Sequence, residues 1–195
     1  LRSNTGPTAL MNTINANKIE FLLNNGANIN AVDNENNTAL TSILRNFDNE
    51  VYYLELTFLD EEIITSVAKL LIEKGIDIRV MNNSGYDAFL YSVKLNFTKL
   101  AELLIEKGTD IKRKNMNGQN ALMLSAKAGN YQLSKLLLDK GLKVNTVDNE
   151  GNTPLILAIL SENMELVKLL IEKGADLNAK NSIGYTALDM IKASS

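Results

Sequence analysis

Residues Thr153 to Gly174, which read TPLILAILSENMELVKLLIEKG, contain the most regular pattern of the sequence. Related stretches lie one and two units earlier, from Asn120 to Gly141 and from Asp87 to Gly108. The three stretches start at positions 87, 120 and 153, which are evenly spaced. A fixed period of about 33 residues is typical of a repeat protein, in which each unit buries its apolar face against its neighbours. The period therefore predicts a stack of equivalent units.

Each unit is predicted to open on a tight turn. Two residues before the start of each unit stands a glycine or an asparagine, the residues that best tolerate a positive φ. These residues are Gly6, Asn36, Gly85, Gly118, Gly151 and Gly184. Short polar side chains, which suit hydrogen bonds to nearby backbone amides, precede them at Asp33, Asn82, Asn115, Asp148 and Asn181. A left-handed residue is therefore expected in every turn.

Two helices are predicted after each turn. Good N-cap residues open the first helix at Thr38, Asp87, Asn120, Thr153 and Thr186. Leucines three and four residues apart give the second helix one apolar stripe, as at Leu166, Leu169 and Leu170. The second helix closes on a Lys-Gly pair, in which glycine supplies a left-handed cap, at Gly75, Gly108, Gly141 and Gly174. The pattern predicts antiparallel helix pairs joined by short turns.

This unit resembles the ankyrin repeat. The resemblance rests on Thr153-Pro154-Leu155 after the turn and on Gly174-Ala175-Asp176 after the second helix. It implies an all-α ankyrin-repeat solenoid of antiparallel helix pairs with short turn or hairpin loops, formed as a single domain over residues 1–195. The repeats are expected at approximately 1–30, 31–79, 80–112, 113–145, 146–178 and, in part, 179–195.

One familiar residue of that family is missing, the histidine that usually follows the leucine. Its place is taken by Met11, Thr41, Leu90, Met123, Ile156 and Asp189. In the family this histidine helps to tie the turn of one repeat to its neighbour. The connection between repeats is therefore expected to be less rigid, while the fold is expected to persist.

Repeat two is longer than the others. The step from Thr38 to Gly75 exceeds the regular step from Asn120 to Gly141. An insertion of about 16 residues is therefore expected around Phe47 to Glu62, and insertions of this kind map to loops on one face of a repeat protein. Its aromatic residues Tyr52, Tyr53 and Phe58 are candidates for an added binding surface. The favoured alternative is that they pack back over their own repeat. The acidic residues of the insertion are expected to form a solvated rim and the start of the next helix.

The composition argues against catalysis. The chain has no histidine and no cysteine, which removes the commonest general base, the thiol nucleophile and the nitrogen and sulfur ligands of metals. Each glycine is assigned to a turn or a cap, so no phosphate-binding loop is left. We therefore predict no enzyme activity, no catalytic residues, no metal site and no cofactor.

The same composition restricts the partners. A net charge of −3 gives no reason to expect binding to nucleic acid, and no apolar run is long enough to span a membrane. A monomer is predicted. The compartment is left open: a cytoplasmic location is slightly favoured, but the chain starts at Leu1, so a lost targeting segment is not ruled out.

The resemblance implies a function in protein–protein recognition. In the family, partners usually bind the concave face, which is made by the turn tips and the first helices. The matching residues here are Asn34, Glu35, Asn37, Arg45, Met81, Tyr86, Lys94, Lys114, Met116, Gln119, Lys127, Asn149, Asn152, Leu160, Lys180, Ile183 and Tyr185. Apolar candidates for anchoring a partner are Met81, Tyr86, Met116, Leu160, Ile183 and Tyr185, although a single exposed apolar residue is often neutral.

Two further interpretations stay open. The basic cluster Lys112, Arg113 and Lys114 is interpreted as a solvated tip or as a contact for an acidic peptide. The alternative function is a structural spacer, or a fragment of a longer repeat array, that positions another domain. An exposed apolar edge at Leu188, Met190 and Ile191 would favour that alternative.

Overall fold

The computed structural model describes residues 7–48 and 61–193, and the regular structure in these ranges is helical. The protein divides into two compact units, residues 1–110 and residues 111–195. The first unit holds a short 3₁₀ helix, Ala9–Asn12, and then α1 (Ala16–Asn24), α2 (Ala39–Asp48), α3 (Glu61–Glu73), α4 (Ala88–Lys94) and α5 (Thr98–Glu106). The second unit holds α6 (Ala121–Lys127), α7 (Tyr131–Asp139), α8 (Pro154–Leu160), α9 (Met164–Glu172) and α10 (Ala187–Ala193).

The first helix of a pair is buried along almost its whole length. Residues 121–126 of α6 are all buried, and residues 88–93 of α4 are buried in the same way. The second helices bury only one stripe, which in α7 consists of Leu133, Ser134 and Leu137. Fully burying a leucine side chain stabilises a fold by about 1.5–3 kcal/mol. Within each repeat, the core therefore lies between the first helix and the second helix.

The left-handed residues predicted in the turns are confirmed. A positive φ, from 63° to 85°, is found at Asn36, Gly85, Gly118, Gly151 and Gly184. Gly6 lies outside the described residues. Asp33 Oδ1 accepts hydrogen bonds from the N–H groups of Glu35 and Asn37, at 2.9 and 2.8 Å. Equivalent pairs of bonds are accepted by Asn82, Asn115 and Asp148.

Backbone hydrogen bonds join successive turns within each unit. In the first unit, the N–H of Asn83 donates to the C=O of Glu35 at 2.9 Å. The same bond recurs in the second unit, from Asn149 to Asn117 at 2.9 Å and from Ser182 to Glu150 at 2.8 Å. These bonds connect neighbouring turns through the backbone, so they do not require the missing histidine.

Three residues at the histidine position accept a hydrogen bond from the N-cap residue of their own helix, and the first is Met11, whose Sδ accepts from Thr8 N–H at 3.2 Å. Thr41 Oγ1 accepts a hydrogen bond from Thr38 N–H at 2.7 Å, and Asp189 Oδ2 accepts one from Thr186 N–H at 2.9 Å. The Thr186 hydroxyl also donates to Asp189 Oδ2 at 2.7 Å, which lowers the pKa of Asp189 below its ordinary value. Asp189 therefore remains an ionised acceptor at the start of its helix.

Part of the predicted insertion in repeat two is helical. Phe47 and Asp48 close α2, and Glu61 and Glu62 open α3. The predicted acidic start of the next helix is thus confirmed for these two glutamates, which lie at the positive end of the helix dipole. The aromatic candidates Tyr52, Tyr53 and Phe58 lie outside the described residues.

Glu61 does more than start its own helix, because it caps the next one. The N-cap residue of α5 is Phe97, whose side chain cannot accept a hydrogen bond from the N–H groups of the helix. Glu61 Oε1 accepts instead from the N–H groups of Lys99 and Leu100, at 2.5 and 3.4 Å. The corresponding helices α7 and α9 are capped by their own asparagines, Asn130 and Asn163.

The cap gives a testable prediction for Glu61→Ala. The variant is expected to lose about 1 kcal/mol of unfolding free energy, the usual cost of removing a helix cap, in a urea titration followed by circular dichroism. Glu62→Ala is the matched control and should have little effect, because within the described residues the Glu62 carboxylate forms an exposed ion pair with Lys99 Nζ.

A second background separates capping from other causes. In a protein that carries Phe97→Asn, the new asparagine can cap α5 as Asn130 caps α7. Glu61→Ala should then cost much less than it does in the unaltered protein. An equal cost in both backgrounds would show that Glu61 does not act as a cap.

Candidate partner-binding surface

Two of the residues assigned to the binding face are buried, which corrects the sequence-based expectation. Asn37 is fully buried and Tyr86 is only 8% exposed. The Tyr86 ring stacks on Tyr91 with ring centres 4.7 Å apart, and Lys94 Nζ lies 5.3 Å from the centre of the Tyr86 ring. Asn37 Oδ1 accepts from Asn82 Nδ2 at 2.8 Å. Both side chains therefore hold the first unit together and are not free to anchor a partner.

Charged residues on the same face of the first unit are paired within the protein. Arg45 contacts both carboxylate oxygens of Glu35, at 2.8 and 3.0 Å. Lys94 Nζ donates to Asp48 Oδ2 at 2.5 Å. Burial disfavours the charged form of Lys94, but the hydrogen bond to Asp48 and the nearby tyrosine oxygens outweigh it, so the pKa of Lys94 is raised. Lys94 therefore stays charged, and a partner would have to compete with Asp48 for it.

The remaining candidates of the first unit present little apolar surface. Asn34 is exposed, whereas Met81 is half-buried. The backbone carbonyl of Met81 accepts a hydrogen bond from Asn36 Nδ2 at 2.6 Å. Met81 is thus held beside the turn of the preceding repeat. The candidate residues of the first unit therefore offer mostly polar side chains, and Arg45, Glu35 and Lys94 are paired within the protein.

The second unit is different, because its turn tips expose large apolar side chains. Met116 and Ile183 are both 69% exposed. Tyr185 and Leu160, the other two apolar candidates in this unit, are also exposed. The backbone beneath Met116 is fixed, since its C=O accepts from Asn149 Nδ2 at 2.9 Å. Apolar side chains are therefore displayed on a hydrogen-bonded scaffold.

Three amide candidates of the second unit serve that scaffold. Asn152 Oδ1 accepts from Asn181 Nδ2 at 3.1 Å, which links two turns. Gln119 Oε1 accepts from Asn115 Nδ2 at 3.1 Å within one turn. Asn149 bonds to the turn before it. These amides hold the turns in place beneath the exposed residues.

Three lysines accompany the exposed apolar residues. Lys114, Lys127 and Lys180 are all exposed, and Lys114 Nζ donates to the C=O of Val147 at 3.0 Å. We refer to the combined set as the second-unit face. It consists of Lys114, Met116, Lys127, Leu160, Lys180, Ile183 and Tyr185. The face combines exposed apolar side chains with positive charge.

Two other kinds of site are absent from the described ranges. Residues 7–48 and 61–193 contain no group of three or more acidic side chains placed to hold a metal ion. In the same ranges, every helix is too short or too polar to cross a membrane.

Comparison with known proteins identifies part of the sequence. Residues 110–181 match a family model for ankyrin repeats, in three copies, while no curated protein matches by sequence. The resemblance drawn from the sequence is thus confirmed, and the all-helical structure of the described residues agrees with the predicted ankyrin-repeat solenoid. Ankyrin repeats generally mediate protein–protein interaction. Neither the partner nor the binding face follows from this match.

Proposed function

We propose that this protein, whose residues 110–181 carry three ankyrin repeats, is a non-enzymatic module that binds a protein partner through its second-unit face. The observation that carries the proposal is the exposure of Met116 and Ile183 on turns joined by backbone hydrogen bonds. Aromatic residues and methionine are enriched at the centres of protein interfaces, which fits Tyr185 and Met116. Because the turns are already ordered, binding does not require the entropic cost of ordering a loop.

The charges indicate what kind of partner fits. The second-unit face carries three lysines, Lys114, Lys127 and Lys180, and no acidic residue, although the exposed carboxylates of Glu150 and Glu162 belong to the same repeats. Glu150 accepts a hydrogen bond from Asn152 Nδ2 at 3.2 Å. A protein segment that presents apolar side chains flanked by carboxylates would match this arrangement. Complementary charge speeds association and excludes wrong partners more than it adds affinity. A partner segment of this kind agrees with the interpretation of Lys112, Arg113 and Lys114 as a contact for an acidic peptide.

The first test is affinity capture from a lysate of the source cells. The intact protein is compared with a variant that carries Met116→Ala, Ile183→Ala and Tyr185→Ala. Truncating a hot-spot residue costs about 2 kcal/mol or more, so the loss of one hot spot among these three should weaken binding at least about tenfold. The matched control carries Tyr131→Ala and Met164→Ala, which remove exposed apolar residues from the second helices.

The outcomes separate the alternatives. A protein that is captured by the intact module and the control, and lost by the triple variant, would support the proposal. Capture by all three would contradict the second-unit face and direct attention to other surfaces, including the aromatic insertion. Capture by none of the three would favour the spacer.

The alternative function, a structural spacer or part of a longer array, is favoured by one observation. Leu188 and Ile191 are 56% and 43% exposed on α10, although Met190 is half-buried. This is the exposed apolar edge that the spacer interpretation expects, with Met190 as the exception.

A further inference from the structure

We propose that the partner meets the second-unit face as an extended acidic segment, in which two apolar side chains stand six residues apart. The segment lies across the tips of the three turns in the second unit, residues 116–117, 149–150 and 182–183. We call these residues the tip row. The proposal rests on the function proposed above and adds the conformation, spacing and charge of the partner.

Exposure is a property of the tip positions and does not depend on where a repeat stands in the array. The counterparts of Met116 are exposed in the other repeats, at Asn34, Asn83, Asn149 and Ser182. The counterparts of Ile183 are exposed as well, at Glu35, Ser84, Asn117 and Glu150. Tyr185 is left out of the tip row, because its counterparts Gln119 and Asn152 are half-buried.

Apolar surface is found at the two ends of the tip row and not at its centre. Met116 in the first turn and Ile183 in the third are both 69% exposed. The turn between them presents Asn149 and Glu150, which are polar and exposed. A helix with a continuous apolar stripe would cover Glu150 with apolar groups and remove its carboxylate from water, which is costly. The row therefore suits two separate apolar residues.

The distance between the two ends follows from the helices behind the turns. Helix α8 contacts both α6 and α10, so the three first helices stand side by side. Packed helices lie about 8–10 Å apart, which places the first and third tips about 16–20 Å apart. Backbone hydrogen bonds of 2.9 and 2.8 Å between successive tips hold this spacing.

An extended chain covers that distance in six residues. Its rise is about 3.3 Å per residue in a strand and about 3.1 Å in polyproline II, so six residues span about 19–20 Å. Side chains repeat every two residues in a strand and every three in polyproline II, and six is a multiple of both. Residues six apart therefore point to the same side in either conformation, whereas an α-helix would need about 11–13 residues.

The charges of the tip row indicate which residues accompany the apolar pair. Lys114 and Lys180 are exposed beside the first and third tips, and the same position in the middle repeat is Val147, which is 48% exposed. Lys114 Nζ donates to the Val147 C=O at 3.0 Å, which keeps the ammonium group near the row. Glu150 places a negative charge at the centre. A carboxylate beside each apolar residue and a basic residue between them would complement this order.

The test is a selection of binders to the full-length protein from a phage-displayed library of random linear peptides, each twelve residues long. Enriched peptides are synthesised, and their binding is measured by fluorescence anisotropy. We expect apolar residues six apart, with acidic neighbours, more often than in the starting library. Met116→Ala or Ile183→Ala should each weaken binding by tenfold or more.

Leu160→Ala is the matched control for these variants. Leu160 belongs to the second-unit face and is 52% exposed. It lies at the end of α8 that is away from the turn, and the seven residues of α8 span about 10 Å. A segment on the tip row does not reach Leu160, so this variant should bind the peptides as the unaltered protein does.

Glu150→Lys tests the charge at the centre of the row. Peptides with lysine midway between the apolar residues should bind this variant about threefold more weakly or worse at low salt. The same peptides with glutamate midway should bind it more tightly, and high salt should reduce both effects. Damage to the turn would instead weaken both kinds of peptide alike, and circular dichroism checks that each variant is folded.

The outcomes distinguish this proposal from the proposed function. Enriched peptides with apolar residues three and four apart, whose binding Met116→Ala and Ile183→Ala still weaken, would refute the extended segment and leave the second-unit face intact. An equal loss in Leu160→Ala would refute the tip row. No enrichment, or binding that is insensitive to both tip variants, would also overturn the proposal, and capture from the lysate then tests the proposed function separately.

Discussion

Gly118→Val is expected to lower the free energy of unfolding by about 3–4 kcal/mol. Gly118 has a φ of +76°, which L-residues adopt at a cost of about 1–2 kcal/mol and β-branched residues resist most. A Cβ at this position would lie 2.4 Å from Asn149 Oδ1 and 3.0 Å from Asn149 N. Asn149 would have to move away from the carbonyls of Met116 and Asn117, and each lost hydrogen bond costs about 1 kcal/mol.

Gly141→Val is the matched control for this prediction. Gly141 also has a positive φ, +90°, but no atom lies within 4 Å of an added Cβ. Only the backbone cost should remain, about 1–2 kcal/mol. Both variants are measured by urea unfolding followed by circular dichroism. An unchanged stability of Gly118→Val would refute the repeat register. Equal losses in both variants would show that the hydrogen bonds from Asn149 to the preceding turn do not contribute to stability.

Asn82→Ala is expected to lower the free energy of unfolding by about 3 kcal/mol. We expect this to be the largest effect of any single side chain in the turns of the first unit. The reason is that removing one buried partner leaves several polar groups unsatisfied, and each of them costs about 1 kcal/mol or more. Asn82 Oδ1 accepts from the N–H groups of Ser84 and Tyr86, at 3.0 and 2.9 Å. Its Nδ2 donates to Asn37 Oδ1 at 2.8 Å and to the Tyr91 hydroxyl at 3.1 Å. Urea unfolding of the variant measures the loss.

Asn181→Ala tests the same turn position with fewer partners. Asn181 accepts from Tyr185 N–H at 2.9 Å and donates to Asn152 at 3.1 Å, and it is only half-buried. Its loss should cost about 1 kcal/mol, because water can replace part of what is removed. The prediction for Asn82 fails if the two alanine variants unfold at the same urea concentration.

The local geometry of the repeats could be predicted from the sequence. Asn36 stands where the other turns have glycine, and its φ of 63° confirms the left-handed turn that this substitution pattern predicts. Asp87, Asn120 and Thr153 accept N–H bonds from residues three positions later, as good N-cap residues do. These features depend on a few neighbouring residues, which is why a single sequence suffices to predict them.

Contacts across a repeat could not be predicted in the same way. Tyr86 and Tyr185 occupy the same turn position, yet they are 8% and 45% exposed. The difference arises because Tyr86 stacks on Tyr91, whereas the sequence has Met190 at the equivalent position after Tyr185. Tyr91 is thus the residue in the sequence that distinguishes the two positions. The repeat period alone does not draw attention to it.

Two backbone features were missed for a related reason. Asn96 and Glu162 have positive φ values of 61° and 58°, at the turn between the helices of a pair. Only Gly129, at the equivalent position, indicated a left-handed residue there. That Glu61 caps α5 was also not predicted from the sequence. The indication in the sequence was Phe97, which stands where α7 and α9 have an asparagine as N-cap.

That cap has a consequence for how the gene can change. Helices α7 and α9 carry their own caps, Asn130 and Asn163, so a tandem duplication of one repeat's codons in this part of the gene would add a helix pair that is already complete. Copying the codons for residues 80–112 would instead separate one Phe97 from its glutamate and leave one α5 without a cap. Duplication in the second unit therefore adds no uncapped helix, whereas duplication of residues 80–112 would lose the roughly 1 kcal/mol that one helix cap contributes.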